Sequence, residues 1–309
     1  MSIAYEQGAG PVCDLCGLGN FTLVYEGLVD TALPLPGEFE IRTCNDCGLV
    51  RRTPEMSDEA IAPYYPHEYV PYAAEKKWVQ VLKKVFWSGD RNLIRRLAPS
   101  DGVVFEIGSA GGEFLDFLGS DYSRYGMDMD TECVKRGKEK YGLNLFSGNC
   151  ETISVESMEL PPVNLILMSY VLEHLHSPKR MLEKIHRLLA PQGVAVIKIP
   201  NYTSFERMFF GRYWHSLDIP RHVHIFTRES MRSYARKTGF VLEETHFSLV
   251  PNDWIESIAR FLRVHRLGLI AYFFNYKNPL LVALFLPLSI AGKFFGRSPR
   301  MTCVLRKVA

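Results

Sequence analysis

The sequence predicts an α/β protein built on a doubly wound parallel sheet, with a small cysteine-rich module before it and an apolar helical insert near its end. Three observations predict this. From residue 101 to 250, short apolar runs alternate with segments of helical periodicity, the pattern that βαβ units impose. The first run, Val103 to Ile107, enters a turn holding Gly108, Gly111 and Gly112, and then a helix that carries Phe114, Leu115 and Leu118 inward. Two C-x-x-C pairs stand together in the first fifty residues, outside the alternating region.

The glycine turn is the centre of the reading. At a strand-to-helix turn of an α/β sheet, a ligand meets exposed backbone N–H groups. Glycine permits that close approach and the positive φ such turns require. Glu106 ends the strand beside the turn and predicts a site for a cationic group. Asp128 follows 22 positions later, at the end of the second predicted strand, where a carboxylate can accept the hydroxyls of a ribose. A dinucleotide fingerprint G-x-G-x-x-G fails here, because Ala110 and Glu113 occupy its second and third glycine positions.

Read instead as acid-x-G-x-G-x-G, the segment gives Glu106, Gly108, Ala110 and Gly112, and this resembles the class I S-adenosylmethionine (SAM) methyltransferases. The resemblance covers about residues 100 to 250 and implies a seven-stranded, Rossmann-like methyltransferase sheet with SAM as cofactor. It implies Glu106 near the methionine amino group and Asp128 on the ribose. Asn149 stands where the family commonly has an acid on the adenine amino group, and its amide oxygen can take that role. The segment from Ser169 to Leu175, with the Glu173-His174 pair, resembles the family's strand-end segment beside the cofactor, which adds Ser169 to the SAM-binding set.

Before this core, Cys13-x-x-Cys16-Gly17 and Cys44-x-x-Cys47-Gly48 have the spacing of two knuckles supplying four sulfurs to Zn²⁺. The 27 residues between the knuckles suffice for short antiparallel strands. A redox pair of the thioredoxin type uses one C-x-x-C, so residues 1–60 read as a zinc ribbon. This module carries ten acids against three bases, a net charge of −7, which disfavours phosphate and argues for a cap beside the active site. Residues 61–100 form a linker: Tyr64, Tyr65, Tyr69 and Tyr72 with His67 in an extended stretch, set over the ligand crevice or simply packed, and then a helix over 75–97, broken near Ser88-Gly89.

Within the core, helices are predicted over 131–141, 179–189 and 228–238, and strands over 143–146, 164–168, 194–199 and 240–250. A lid, residues 200–227, leaves the carboxyl end of a parallel strand and so lies over the site. Its His215 and His222 are candidates for a base that deprotonates the acceptor, with Asp218 orienting one of them. The alternative is that these groups and Arg221 bond loop carbonyls and hold the lid shut. Residues 301–309 read as a final antiparallel edge strand.

Residues 251–300 form a basic, apolar insert. From 251 to the end the chain carries two acids against nine bases, a net of +7, and its run from Pro279 to Gly292 is too short and proline-broken to span a bilayer. An interfacial segment at an anionic membrane is expected, against a buried hairpin or a dimer face. The N-terminus shows no secretory pattern, and seven cysteines without a disulfide framework suit a reducing compartment. The expectation is a cytoplasmic, peripherally membrane-associated enzyme that methylates a small-molecule, sugar or lipid-linked acceptor. A zinc-ribbon RNA methyltransferase or nucleic-acid binder and a non-catalytic scaffold of the same fold are the alternatives.

Overall fold

In the computed structural model, which describes residues 12–33, 35–65, 77–154 and 158–308 (backbone alone over 77–86), three antiparallel strands come first: β1 (Phe21–Leu28), β2 (Phe39–Cys44) and β3 (Val50–Thr53). A short helix α1 (Asp58–Ile61) and the long helix α2 (Lys77–Leu97) lead into the alternating core. There β4 (Val103–Ile107), α3 (Glu113–Leu118), β5 (Ser123–Asp128), α4 (Thr131–Tyr141), β6 (Asn144–Ser147), β7 (Val163–Ser169), α5 (Pro178–Leu188) and β8 (Leu189–Pro200) follow in order. The lid contains α6 (Phe205–Phe210) and β9 (His224–Ile225), and α7 (Arg228–Lys237) and β10 (Phe240–Phe247) come next. The insert is three helices, α8 (Asn252–Val264), α9 (Gly268–Ala271) and α10 (Pro279–Phe294), before β11 (Arg300–Lys307).

The large sheet has the order β10-β11-β8-β7-β4-β5-β6, parallel throughout except for β11. Its central strands are apolar on both faces because helices cover both. Phe105, Ile107, Ile166, Met168, Ala195 and Ile197 face α5 and α7, while Val104, Leu165, Leu167, Val194 and Val196 face α2, α3 and α4. Local chemistry sets the helix ends. Asp130 caps α4 by accepting the Cys133 N–H, and Thr227 and Ser230 form a reciprocal capping box on α7.

Two expectations are corrected. The helix over 77–97 is continuous through Ser88-Gly89. One glycine costs a helix only about 1 kcal/mol, and Trp87 against Phe114 and Phe117 on one side, with buried Ile94 on the other, holds the helix across it. The strand over 300–307 is not at the edge: it lies between β8 and β10, and β10 is the edge. Met301, Thr302, Cys303, Val304 and Leu305 are all buried, whereas β10 alternates between covered and exposed residues.

The cysteine module is built into this frame. Its strands form a second sheet, β1-β2-β3-β9, whose fourth strand comes from the lid, with Val50 opposite Ile225 and Arg51 opposite His224. Leu15 and Leu49 share the core under α5 and α7. Asp14 accepts from the Ser177 hydroxyl, the Lys179 N–H and the Tyr234 hydroxyl, tying the first knuckle to both helices.

Candidate active site and cysteine cluster

The turn after β4 has the shape its glycines predict. Gly108 has a φ of +79°, and a Cβ there would collide with Val171 Cγ2, so neither the backbone nor the space accepts a side chain. Ala110 has a positive φ of 46° and turns its N–H onto Asp128 Oδ2 at 2.8 Å. Asp128 Oδ1 accepts the Asp130 N–H at 3.0 Å. The two bonds hold the carboxylate in one orientation, and each oxygen keeps a second acceptor position for a hydroxyl. Burial raises the pKa of Asp128, and the Asp130 and Ala110 N–H groups oppose that rise.

Glu106 is buried beside this turn, and its Oε2 has no hydrogen-bond partner among the described residues. Burial pushes its carboxyl up to about 8. The Lys198 ammonium acts against that shift, but it is itself paired with Asp90 at 2.6 Å. A buried carboxyl with one unpartnered oxygen next to an open backbone turn fits the ammonium end of a ligand.

Five of the seven expected cofactor residues (Gly108, Ala110, Asp128, Asn149 and Ser169) line one cavity of about 450 Å³; Glu106 and Gly112 lie outside its wall. The Asn149 amide oxygen accepts the Glu151 N–H at 2.9 Å, so its remaining lone pair and its NH₂ group are what an adenine would meet. The opposite wall comes from other parts of the chain. Arg52, Met56, Asp58, Ile61 and Tyr65 belong to the cysteine module and the segment after it, Arg221 and Val223 to the lid, and His174 to the helical turn between β7 and α5. Of the tyrosine-rich stretch, Tyr64 packs inside with its hydroxyl on the Pro36 carbonyl, and Tyr65 faces the cavity with its hydroxyl 3.0 Å from His174 Nδ1. His67, Tyr69 and Tyr72 lie outside the described residues.

His215, His222 and Asp218 do not line this cavity. The lid folds back on the cysteine module and on α8, and these side chains are drawn to partners there. Asp218 accepts from Arg221 Nε and Nη2 at 3.1 and 2.8 Å. His222 Nδ1 stands 2.9 Å from the Ser216 carbonyl, and its ring meets the edge of His174, one ring away from the cavity. The His215 backbone N–H donates to Ser257 Oγ. Burial pushes His215 down to about 4 and His222 to about 3, so both rings are neutral near pH 7. Arg52 and Met56 were not foreseen. Their only sequence signal is proximity to the second knuckle.

The four cysteines Cys13, Cys16, Cys44 and Cys47 lie with their sulfurs all within 4.8 Å of one another. The closest pairs, Cys13–Cys47 at 3.4 Å and Cys16–Cys44 at 3.6 Å, are far too long for disulfides. They are near the separation of about 3.8 Å that tetrahedral Zn–S bonds of about 2.3 Å impose. The Gly17 and Gly48 N–H groups donate to the Cys13 and Cys44 carbonyls and close the two knuckles, each with the glycine at positive φ. The donor set therefore fits structural zinc.

Residues 82–245 match the methyltransferase domain family. Curated proteins give no match. Among solved structures, a candidate sarcosine dimethylglycine methyltransferase from Galdieria sulphuraria is 17% identical, with a TM-score of 0.48 over 76% of this chain and 92% of its own. A TehB-like SAM-dependent methyltransferase from Corynebacterium glutamicum is 15% identical, with a TM-score of 0.42 over 74% and 96%. A SAM-dependent methyltransferase from Mesorhizobium loti is 13% identical, with a TM-score of 0.46 over 72% and 100%.

Proposed function

This chain belongs to the methyltransferase domain family, and from that premise we propose that it moves the methyl group of SAM to a small sugar-like or lipid-linked acceptor held between the core, the cysteine module and the lid. One observation carries the reading: a single cavity has Gly108, Ala110, Asp128 and Asn149 on one side and Arg52, Tyr65, His174 and Arg221 on the other. Bound there, SAM would supply an electrophilic methyl group on a sulfonium. Asp128 would take the ribose and Asn149 the adenine edge, while Glu106 would face the ammonium. The Tyr65 hydroxyl and the His174 ring suit an oxygen-rich acceptor, orienting it for in-line attack, while the Arg221 guanidinium, held by Asp30 and Asp218, fixes the wall behind them. In this reading zinc on Cys13, Cys16, Cys44 and Cys47 is structural, fixing the module that forms the acceptor wall.

The lipid-linked part of the reading is supported by the insert. Both β8 and β10 deliver their chain at the same end of the sheet, so α8 packs on α6 and on the lid turns. Leu269, Leu280 and Phe294 are 89%, 78% and 82% exposed, and Phe209, Tyr272 and Phe273 are exposed beside them. Arg263, Arg266, Lys277, Lys293 and Arg297 lie along the same helices and loops. Among the described residues no helix is long and apolar enough to cross a membrane. An apolar face with basic residues around it fits an anionic bilayer surface, on which the helices would lie rather than span.

The test is methyl-labelled SAM with the purified protein and a host lysate, the label counted in lipid, glycan, RNA and protein fractions against an Asp128→Ala control. Label in lipid or glycan that disappears in the control is the expected result. Label confined to RNA or protein would overturn the acceptor assignment.

A further inference from the structure

Behind the lid side of the cavity stands a set of donor groups that SAM binding does not use. Glu173, His174 and His222 each bring one donor atom within 4.8 Å of the other two. Glu173 is fully buried, and neither carboxylate oxygen has a hydrogen-bond partner among the described residues. An unpartnered buried carboxylate is costly, so this side chain asks for a partner that the surrounding protein does not supply.

The two imidazoles are already oriented for one. The Arg221 carbonyl stands 3.0 Å from His174 Nδ1, which the Tyr65 hydroxyl shares at 3.0 Å as a second acceptor, and the Ser216 carbonyl stands 2.9 Å from His222 Nδ1. A carbonyl oxygen can only accept, so each Nδ1 carries the ring proton and each Nε2 keeps its lone pair. Backbone carbonyls hold metal-binding histidines in this way. Asp218 Oδ2 lies 4.0 Å from His222 Nε2, so a further oxygen is close by.

Charge points in the same direction. Arg221 is paired with Asp30 and Asp218, and Arg300 with Asp253. Arg260 acts on Asp218, and Arg300 also acts on Glu173 from a distance. With every group ionised, four carboxylates face three guanidiniums, and Glu173 is the carboxylate without a contact partner.

We propose that Glu173, His174 and His222 bind a divalent first-row transition cation at the acceptor end of the cavity. Two imidazoles and one carboxylate leave coordination positions open and suit Mn²⁺, Fe²⁺ or Zn²⁺ better than Mg²⁺ or Ca²⁺. Of the three ligands His174 lines the cavity, and in this proposal an open coordination position lies on that side of the ion. The role of the ion, though not its binding, rests on the methyl-transfer reading. An acceptor hydroxyl on the cation loses its proton to water more readily. Its oxygen then attacks the methyl carbon, the carbon–sulfur bond breaks, and the electron pair of that bond stays on sulfur as the neutral thioether leaves. This gives buried His222 of the lid a task other than proton abstraction.

The probe is Mn²⁺ alone, added to the full-length protein after chelator treatment and reloading of the cysteine cluster with one equivalent of Zn²⁺. Free Mn²⁺ is followed by electron paramagnetic resonance, SAM binding is measured by calorimetry on the same samples, and circular dichroism shows that each is folded. Expected is one Mn²⁺ per chain, held about 10- to 100-fold more weakly by Glu173→Gln and His222→Asn and unchanged by His246→Asn, an exposed histidine on β10. No Mn²⁺ on a protein that binds SAM, or equal Mn²⁺ on all variants, would overturn the site and leave the methyl-transfer reading standing. Mn²⁺ bound as expected without SAM binding would support the site and overturn the methyl-transfer reading.

Discussion

Arg221 of the lid and Asp30 of the cysteine module form an ion pair with no exposed side-chain surface on either partner, Nη1 standing 2.9 Å from Oδ2 and Nη2 3.1 Å from Oδ1. Asp218 completes the pairing from the other side of the guanidinium. Removing one partner of a buried pair costs about 3–5 kcal/mol, and because Asp218 still holds Arg221 the loss of Asp30 falls at the low end of that range. Asp30→Ala is therefore expected to lose stability on that scale in urea unfolding. A loss below about 1 kcal/mol, the range of exposed pairs, would show that water reaches the pair.

The shared sheet ties the lid to the cysteine module. Because β9 pairs with β3, unfolding of the cysteine module removes the lid strand's partner. Cys44→Ser is expected to lose one zinc per chain by elemental analysis and to speed hydrogen exchange over 200–227 as well as over the module itself. Exchange confined to the module would show that the lid stands without it.

Gly108→Ala and Asp128→Asn test the cofactor wall separately. The first places a Cβ against Val171 at a φ of +79°, and the second weakens the acceptors for the Ala110 and Asp130 N–H groups and, in the proposed function, for the ribose. Each is expected to weaken SAM binding at least tenfold, about 1.4 kcal/mol, in calorimetry. Unchanged affinity in both variants would place SAM elsewhere.

Two sets of buried groups give stability opposite pH slopes. Burial pushes Glu106 and Glu206 up to about 8, so their contribution is full below the unfolded value of about 4.5 and is lost as pH rises through about 8. Burial pushes His215 down to about 4 and His224 to about 3, so their contribution is full above about 6.5 and is lost as pH falls toward those values. Thermal unfolding should thus show a maximum between the two losses. Since an ammonium favours ionised Glu106, the rise in midpoint on adding SAM should be larger near pH 8 than near pH 6. A rise that does not grow with pH would remove Glu106 from the cofactor site.

Leu280, Leu284 and Phe294 are exposed on α10, so replacing all three by glutamate should leave folding nearly unchanged. Sedimentation with anionic vesicles is expected to pull down the parent chain but not this variant, and salt should weaken binding of the parent. Dimerisation in solution that the substitutions abolish, without vesicle binding, would assign the face to a second copy of the chain.

Much of this protein is legible in its sequence because local rules act over a few residues. The strand–glycine–helix passage from Val103 to Leu118 is dictated by apolar periodicity and by a backbone that only glycine tolerates at Gly108. The two knuckles follow from four cysteines at fixed spacing, and the acid at Asp128 from its place at a strand end. Tertiary structure alone decided where distant segments meet. Nothing local tells β11 to enter between β8 and β10, or β9 to extend the cysteine module's sheet, because strand partners are chosen by burial across the whole molecule. The same holds for the site. Asp30 and Arg221, 191 residues apart, and Glu173 and His222 on separate elements come together only when the lid closes on the module. Sequence therefore determined the chemistry available to this protein, and packing decided which groups face the cavity and which hold its walls.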